Sequence, residues 1–208
     1  MVTYDEIAGR SVARLAAMSD GIFAVGMTLL VLDLRVPAAA AVHNEHQMSR
    51  ALLALLPHLE MYLMSFLTLG IFWVAQQTLH NHLDRSDRHL SWMHLGFLFA
   101  VTLMPFSTML LAEHTASRIA LLLYWLNILL LGAGLYVSWV YAIRRGLVKP
   151  EMPREAATAI SRRLVVAQLL YALGAALCIF GTRWSIAFIT LVQFNSIISP
   201  RLTRFLRY

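Results

Sequence analysis

The side chains best equipped for chemistry in this 208-residue chain cluster around its first apolar run. Ser19 and Asp20 stand just before the stretch Ile22–Leu32, with Arg14 upstream and Asp33 and Arg35 at the far end. The run alone cannot cross a bilayer, for which a helix needs about 20 residues. A spanning helix must reach back to Val12, and Ser19 and Asp20 then become helical residues within or near the membrane. An acid there costs about 2.5–3.5 kcal/mol to insert, so it marks function or specific packing. Two other readings compete. Ser19 and Asp20 also fit as the cap of a shorter helix starting at Gly21. Arg10, Arg14, the apolar run and Pro37–Ala41 also have the outline of a secretory signal peptide, beside which Asp20 and Asp33 sit awkwardly.

A second cluster is His80, His82, Asp84, Asp87 and His89, with His94 beyond. A His-x-His with nearby aspartates could hold a divalent metal, which motivates a membrane-embedded metal-binding enzyme as an alternative. Arg85 and Arg88 are interleaved, no nucleophile is paired with it, and the segment must turn the chain between two apolar runs. A solvated loop is the plainer reading. His43, Glu45 and His46 read as exposed loop residues, and the five tryptophans as interface anchors or packing residues. The single Cys178 lies in an apolar run, so no disulfide framework or cysteine metal site arises.

The elements that must position these residues are membrane helices. The chain is 59% hydrophobic and 13% charged, far too apolar for a soluble domain. Apolar runs of spanning length fall near residues 12–34, 52–79, 90–111, 119–143, 164–180 and 184–198, which predicts one all-α, six-helix transmembrane domain over residues 1–208. Pro57, His58 and Glu60 mark the outer start of the second run. Pro105 should bend the third, with Ser107 and Thr108 available to freed backbone groups. The sixth is short and needs help from a snorkelling Arg201. Of the 17 Lys and Arg residues, all but Arg35, Arg50, Arg118 and Arg183 fall on one side of this topology. That puts both termini in the cytoplasm of a bacterial-type plasma membrane. The net charge of +6 then reads as topology and contact with anionic lipid, with no nucleic-acid partner.

At about 100° per residue, Gly21, Val25, Thr28, Leu32 and Arg35 share one stripe of the first helix, with Leu29 at its edge. A helix-packing face is one reading, with Gly21 allowing close approach and Thr28 bonding the backbone one turn back. No internal repeat is visible, so a pore on a central axis must come from several copies of the chain.

The run Arg14-Leu15-Ala16-Ala17-Met18-Ser19-Asp20-Gly21 resembles the Arg-x-x-x-Phe-Ser-Asp-Gly signature of the transmembrane protein 175 potassium channels, with Met18 in place of Phe. Phe72-Trp73-Val74-Ala75-Gln76-Gln77 is similar to that family's Trp-x-x-His-His, with both histidines replaced. Leu90-Ser91-Trp92 through Met104-Pro105-Phe106-Ser107-Thr108 resembles its third helix. The resemblance covers about the first 115 residues well. It implies a homotetramer with the first helix around a central pore and a passive, potassium-selective cation channel rather than an enzyme. Potassium ions would occupy the pore, and no cofactor is expected. Carried over by position, Val25 is the bottleneck, Thr28 a hydroxyl layer implicated in selectivity, and Leu29 and Leu32 further apolar layers. Arg14, Ser19, Asp20, Trp73 and Gln77 are expected to form a polar network joining the first three spans. Since amides cannot titrate, a pH dependence routed through the replaced histidines should be missing. A secondary cation or proton transporter is the other alternative, although its usual repeats and broken midplane helices are not evident.

Overall fold

The computed structural model describes residues 11–35 and 44–198. Helix α1 runs Val12–Leu29 and tightens into a 3-10 turn over Leu30–Asp33. Its cap is Ser11, whose Oγ accepts from the Arg14 backbone N–H at 3.3 Å. Ser19 and Asp20 are therefore interior helical residues, and the shorter helix beginning at Gly21 is overturned. A separate helix, α2, spans Glu45–Ala54 behind an Asn44 cap, and none of its residues is buried. Only Leu55 separates it from α3, Leu56–His82, which carries Pro57 in its first turn, where a missing N–H is harmless.

The third span is two helices, α4 (Arg88–Thr102) and α5 (Met104–Glu113), broken at Leu103 just ahead of Pro105. The expected bend is present, but its repair differs from expectation. The Ser107 and Thr108 hydroxyls both lie within hydrogen-bond distance of the Met104 carbonyl, at 3.1 and 2.7 Å. The groups freed at the break are met by Asn127 of the next helix. Oriented to satisfy all its neighbours, its amide donates to the Ala100 carbonyl at 2.9 Å and accepts from the Met104 N–H and Ser107 Oγ, each at 3.1 Å.

Helix α6, Arg118–Arg144, is the centre of the bundle, with Leu121, Tyr124, Ile128 and Leu131 all wholly buried. Helix α7 covers Arg154–Ala176 and ends in a 3-10 turn over Leu177–Ile179; it starts ten residues ahead of its apolar run, so Arg162 and Arg163 are helical rather than in a loop. Helix α8, Thr182–Ile198, follows Gly181.

Among the described residues the fold is thus all-α apart from one antiparallel bridge between Leu83 and Val148. That bridge changes the reading of the histidine loop. The Asp84 N–H donates to Leu147 O and the Lys149 N–H to His82 O, both at 2.9 Å, so this loop is laced to the one after α6. Leu83 and Ser86 are buried in it.

Among the described residues, five helical segments are long and apolar enough to cross a membrane: Val12–Asp33, Leu56–His82, Arg88–Glu113, Arg118–Arg144 and Arg154–Ile179. The sixth, α8, has 17 residues, about 25 Å of helix against a hydrocarbon core of about 30 Å. Arg201, the residue expected to help it, lies outside the described residues.

Candidate functional site on the first helix

Two faces of α1 meet different surroundings. Ser19, Phe23, Gly26 and Leu30 are buried at intervals of three and four residues, the spacing of one helical stripe. They turn toward α3 and α4, where Phe23 meets the ring of Phe97 at 6.0 Å. Gly26 lies against Val101 and Leu69. The opposite stripe has no partner among the described residues. Val25 is 57% exposed, Leu29 45% and Leu32 70%, while Gly21 and Thr28 are exposed beside them. Thr28 Oγ1 donates to the Val25 carbonyl at 2.8 Å, which commits its proton and leaves the oxygen's lone pairs facing outward. An open apolar groove follows this stripe, lined by Met18, Gly21, Val25 and Leu29 of α1 and Thr102 of α4.

Polar contacts hold the inner end of α1. Trp73 Nε1 donates to Asp20 Oδ1 at 2.8 Å. Ser19 Oγ donates to Leu15 O at 2.7 Å, accepts from Gln76 Nε2 at 2.9 Å, and lies 2.6 Å from His94 Nε2. Of the five residues expected in the network, Ser19, Asp20 and Trp73 come together. Arg14 and Gln77 do not join them. Arg14 is exposed, and its side chain has no hydrogen-bond partner among the described residues; half-buried Gln77 likewise makes no side-chain bond there. Gln76 takes the position assigned to Gln77, because it shares the buried stripe of α3 with Thr68, Leu69, Phe72 and Leu79.

His94 was not among the five residues assigned to the network, yet its register is informative. It lies between Leu90 and Phe97 on the buried stripe of α4, a polar residue on an apolar face. Its ring packs on that of His80 with centroids 4.9 Å apart. The remaining histidines of that stretch have other partners. His82 Nδ1 meets Thr78 O at 2.6 Å and its ring lies edge-on to Trp139, while His89 lies beside Tyr141. Asp87 caps α4 and accepts from Tyr141 Oη at 2.8 Å. Among the described residues, no three His, Cys, Asp or Glu side chains are grouped to hold a metal.

A second polar chain lies deeper in the bundle. Thr108 donates to Ser65 at 2.7 Å, and Ser65 and Thr68 each meet the Tyr124 hydroxyl at 3.2 Å. Gln193 of α8 donates to Thr68 at 2.6 Å, so this chain pins α8 to α3. All five side chains are buried.

Comparison with known proteins bears on the same region. Residues 14–105 match the model of the family described as the endosomal/lysosomal potassium channel TMEM175. A potassium channel of Streptomyces collinus is 34% identical over 165 residues, covering 77% of this chain and 79% of that protein. The chain belongs to the TMEM175 family. A crystal structure of a lysosomal potassium-selective channel TMEM175 homolog from Chamaesiphon minutus superposes with a TM-score of 0.79 at 26% identity, over 90% of this chain and 96% of that one. The human endosomal/lysosomal proton channel TMEM175 is 25% identical over 90% of this chain, which spans 37% of the human protein's length. TMEM175 proteins are a family of membrane channels rather than enzymes, and the chain is a membrane protein of that family.

Proposed function

We propose that this chain forms a passive, potassium-selective cation channel. In this reading it is a homotetramer of six-span subunits whose α1 helices surround the pore, set in a bacterial plasma membrane with both termini cytoplasmic. The observation that carries the proposal is the division of α1. One stripe is packed into the bundle, and the other, Val25, Thr28, Leu29 and Leu32, is free to face an axis. Four copies of that stripe make a hydrophobic constriction in which conduction depends on diameter and wetting. Val25 forms the narrowest layer and Thr28 a ring of hydroxyl oxygens that replaces part of a potassium ion's hydration. The names of the bacterial relatives support potassium as the permeant ion. The name of the human relative raises protons as a second one.

Liposomes containing only the purified protein test this under potassium, sodium and proton gradients in turn. Passive flux that favours potassium and changes on Val25 or Thr28 replacement is the expected result. Flux of one ion that requires the gradient of another points instead to a transporter. No flux of any ion overturns the reading.

A further inference from the structure

One protonation form of buried His94, which is 5% exposed, satisfies all of its polar neighbours at once. The Ser19 proton is committed to Leu15 O, so whatever else meets Ser19 Oγ must donate to it. Gln76 Nε2 does so, and His94 Nε2, at 2.6 Å, must carry a proton to do the same. The Gln76 amide nitrogen, a donor, lies 3.1 Å from Nε2 and 3.4 Å from the other ring nitrogen, Nδ1; with Nε2 protonated, Nδ1 is the nitrogen left to accept from it. His94 is neutral, with one nitrogen holding α1 and the other open to a proton.

Two further features separate this from an ordinary core histidine. The ring of His80 lies 4.9 Å from that of His94. A cavity of about 20 Å³ adjoins both, lined also by Gln76, Ser138 and Trp139. Ser138 is 8% exposed, and its hydroxyl has no hydrogen-bond partner among the described residues. Such a cavity takes one water, enough to pass a proton from the α3–α4 loop end of the bundle. Helix α1 presents Ser19 and Leu15 O to His94, α3 presents Gln76 and His80, and α6 presents Ser138 and Trp139. Among these His80 is the titratable neighbour, and Asp20 is the charge coupled to it.

We propose that His94, with His80, Gln76 and Ser138, is a proton-binding site that controls how firmly α1 is seated, so that acid on the α3–α4 loop side changes conduction. A proton arriving at Nδ1 makes both ring nitrogens donors. The Gln76 amide must then turn its oxygen to Nδ1–H, and its nitrogen leaves Ser19. Helix α1 loses one of the bonds fixing its rotation, and with it the alignment of the stripe containing Val25 and Thr28. Histidine thereby supplies a titrating group to a network whose second-span member, Gln76, cannot titrate.

The effect on conduction rests on the channel reading, whereas proton binding does not, and two measurements separate them. In liposomes, lowering the pH on the loop side from about 8 to about 4 should change potassium flux by about fivefold, the shift one hydrogen bond supplies. His94→Gln keeps a donor where Nε2 stood and cannot take a second proton, so its flux should be insensitive to that change. A response of equal size in wild type and variant, or none in wild type that conducts, overturns the proposal. Independently, ¹⁵N-histidine NMR of the wild-type protein should show the exchange-protected, Nε2-protonated ring gaining an Nδ1 proton reversibly. This spectrum decides the site even if His94→Gln does not fold or no flux is found. A ring whose Nδ1 stays bare across that range overturns it.

Discussion

The indole N–H of Trp73 donates to the carboxylate of Asp20 at 2.8 Å, tying α3 to α1 one residue before Gly21 opens the exposed stripe. With Ser19 bonded on the buried side, α1 is held from two directions at one level, which fixes its rotation as well as its position. Trp73→Phe retains most of the ring and removes the donor. Because Asp20 is exposed to solvent, the expected loss is about 1 kcal/mol, read as a lower thermal midpoint in detergent. Asp20→Asn keeps an acceptor oxygen and should cost less. Equal midpoints for Trp73→Phe and wild type would remove this contact from the account of how α1 is held.

Val25 offers the sharpest test of the pore. Replacing it with Asn places a hydrogen-bonding group where the proposal needs a dry layer, so the constriction wets more readily. Potassium flux into liposomes should rise several-fold and its preference over sodium should fall. Val25→Leu narrows the same layer and should reduce flux. Unchanged flux in both variants means the stripe does not line the conducting path.

Much of this arrangement was legible in the sequence because membrane helices obey a strict length and period. The reach of α1 back to Val12 followed from the bilayer thickness, and its exposed stripe from the 100° step. What escaped depends on rotation between helices. Gln76 and Gln77 differ by one step of the helix, and only the buried stripe of α3 selects Gln76. His94 carried a signal on the wheel of α4, lying between Leu90 and Phe97, but the proximity of Ser19 is set by the packing of α1 on α4. The pairing of the histidine loop with Leu147 and Val148 could not be read at all. It joins segments about 60 residues apart through main-chain groups, which carry no side-chain signature.

The number of crossings is a separate expectation. If the 17-residue α8 crosses the membrane, both termini lie on the same side; if it does not, they lie on opposite sides. Its polar clasp, Gln193 to Thr68, favours a seated helix, because Gln193 is wholly buried against α3. A single cysteine at Thr3 and another at Thr203, each in a Cys178→Ala background, should react with a membrane-impermeant maleimide from the same side of sealed vesicles. Labelling from opposite sides gives five crossings and returns α8 to the interface.

Asn127 provides the clearest stability test, since it closes a break in the third span. The amide fills the gap between the Ala100 carbonyl and the Met104 N–H, two groups one helical turn apart that would otherwise bond each other. In an apolar bundle neither group finds water, so Asn127→Ala leaves both unpaired at about 1–3 kcal/mol each. Asn127→Leu fills the volume without the bonds and separates that cost from the cost of a cavity. The break itself follows from Pro105, whose ring clashes with the carbonyl of Val101 and prevents a straight helix. Pro105→Ala lets the chain straighten and the two groups approach each other. The loss from Asn127→Ala should therefore be smaller in the Pro105→Ala background, a coupling measurable by unfolding all four proteins in the same detergent. Strictly additive losses would mean that Asn127 acts through packing and that the break is held by something else.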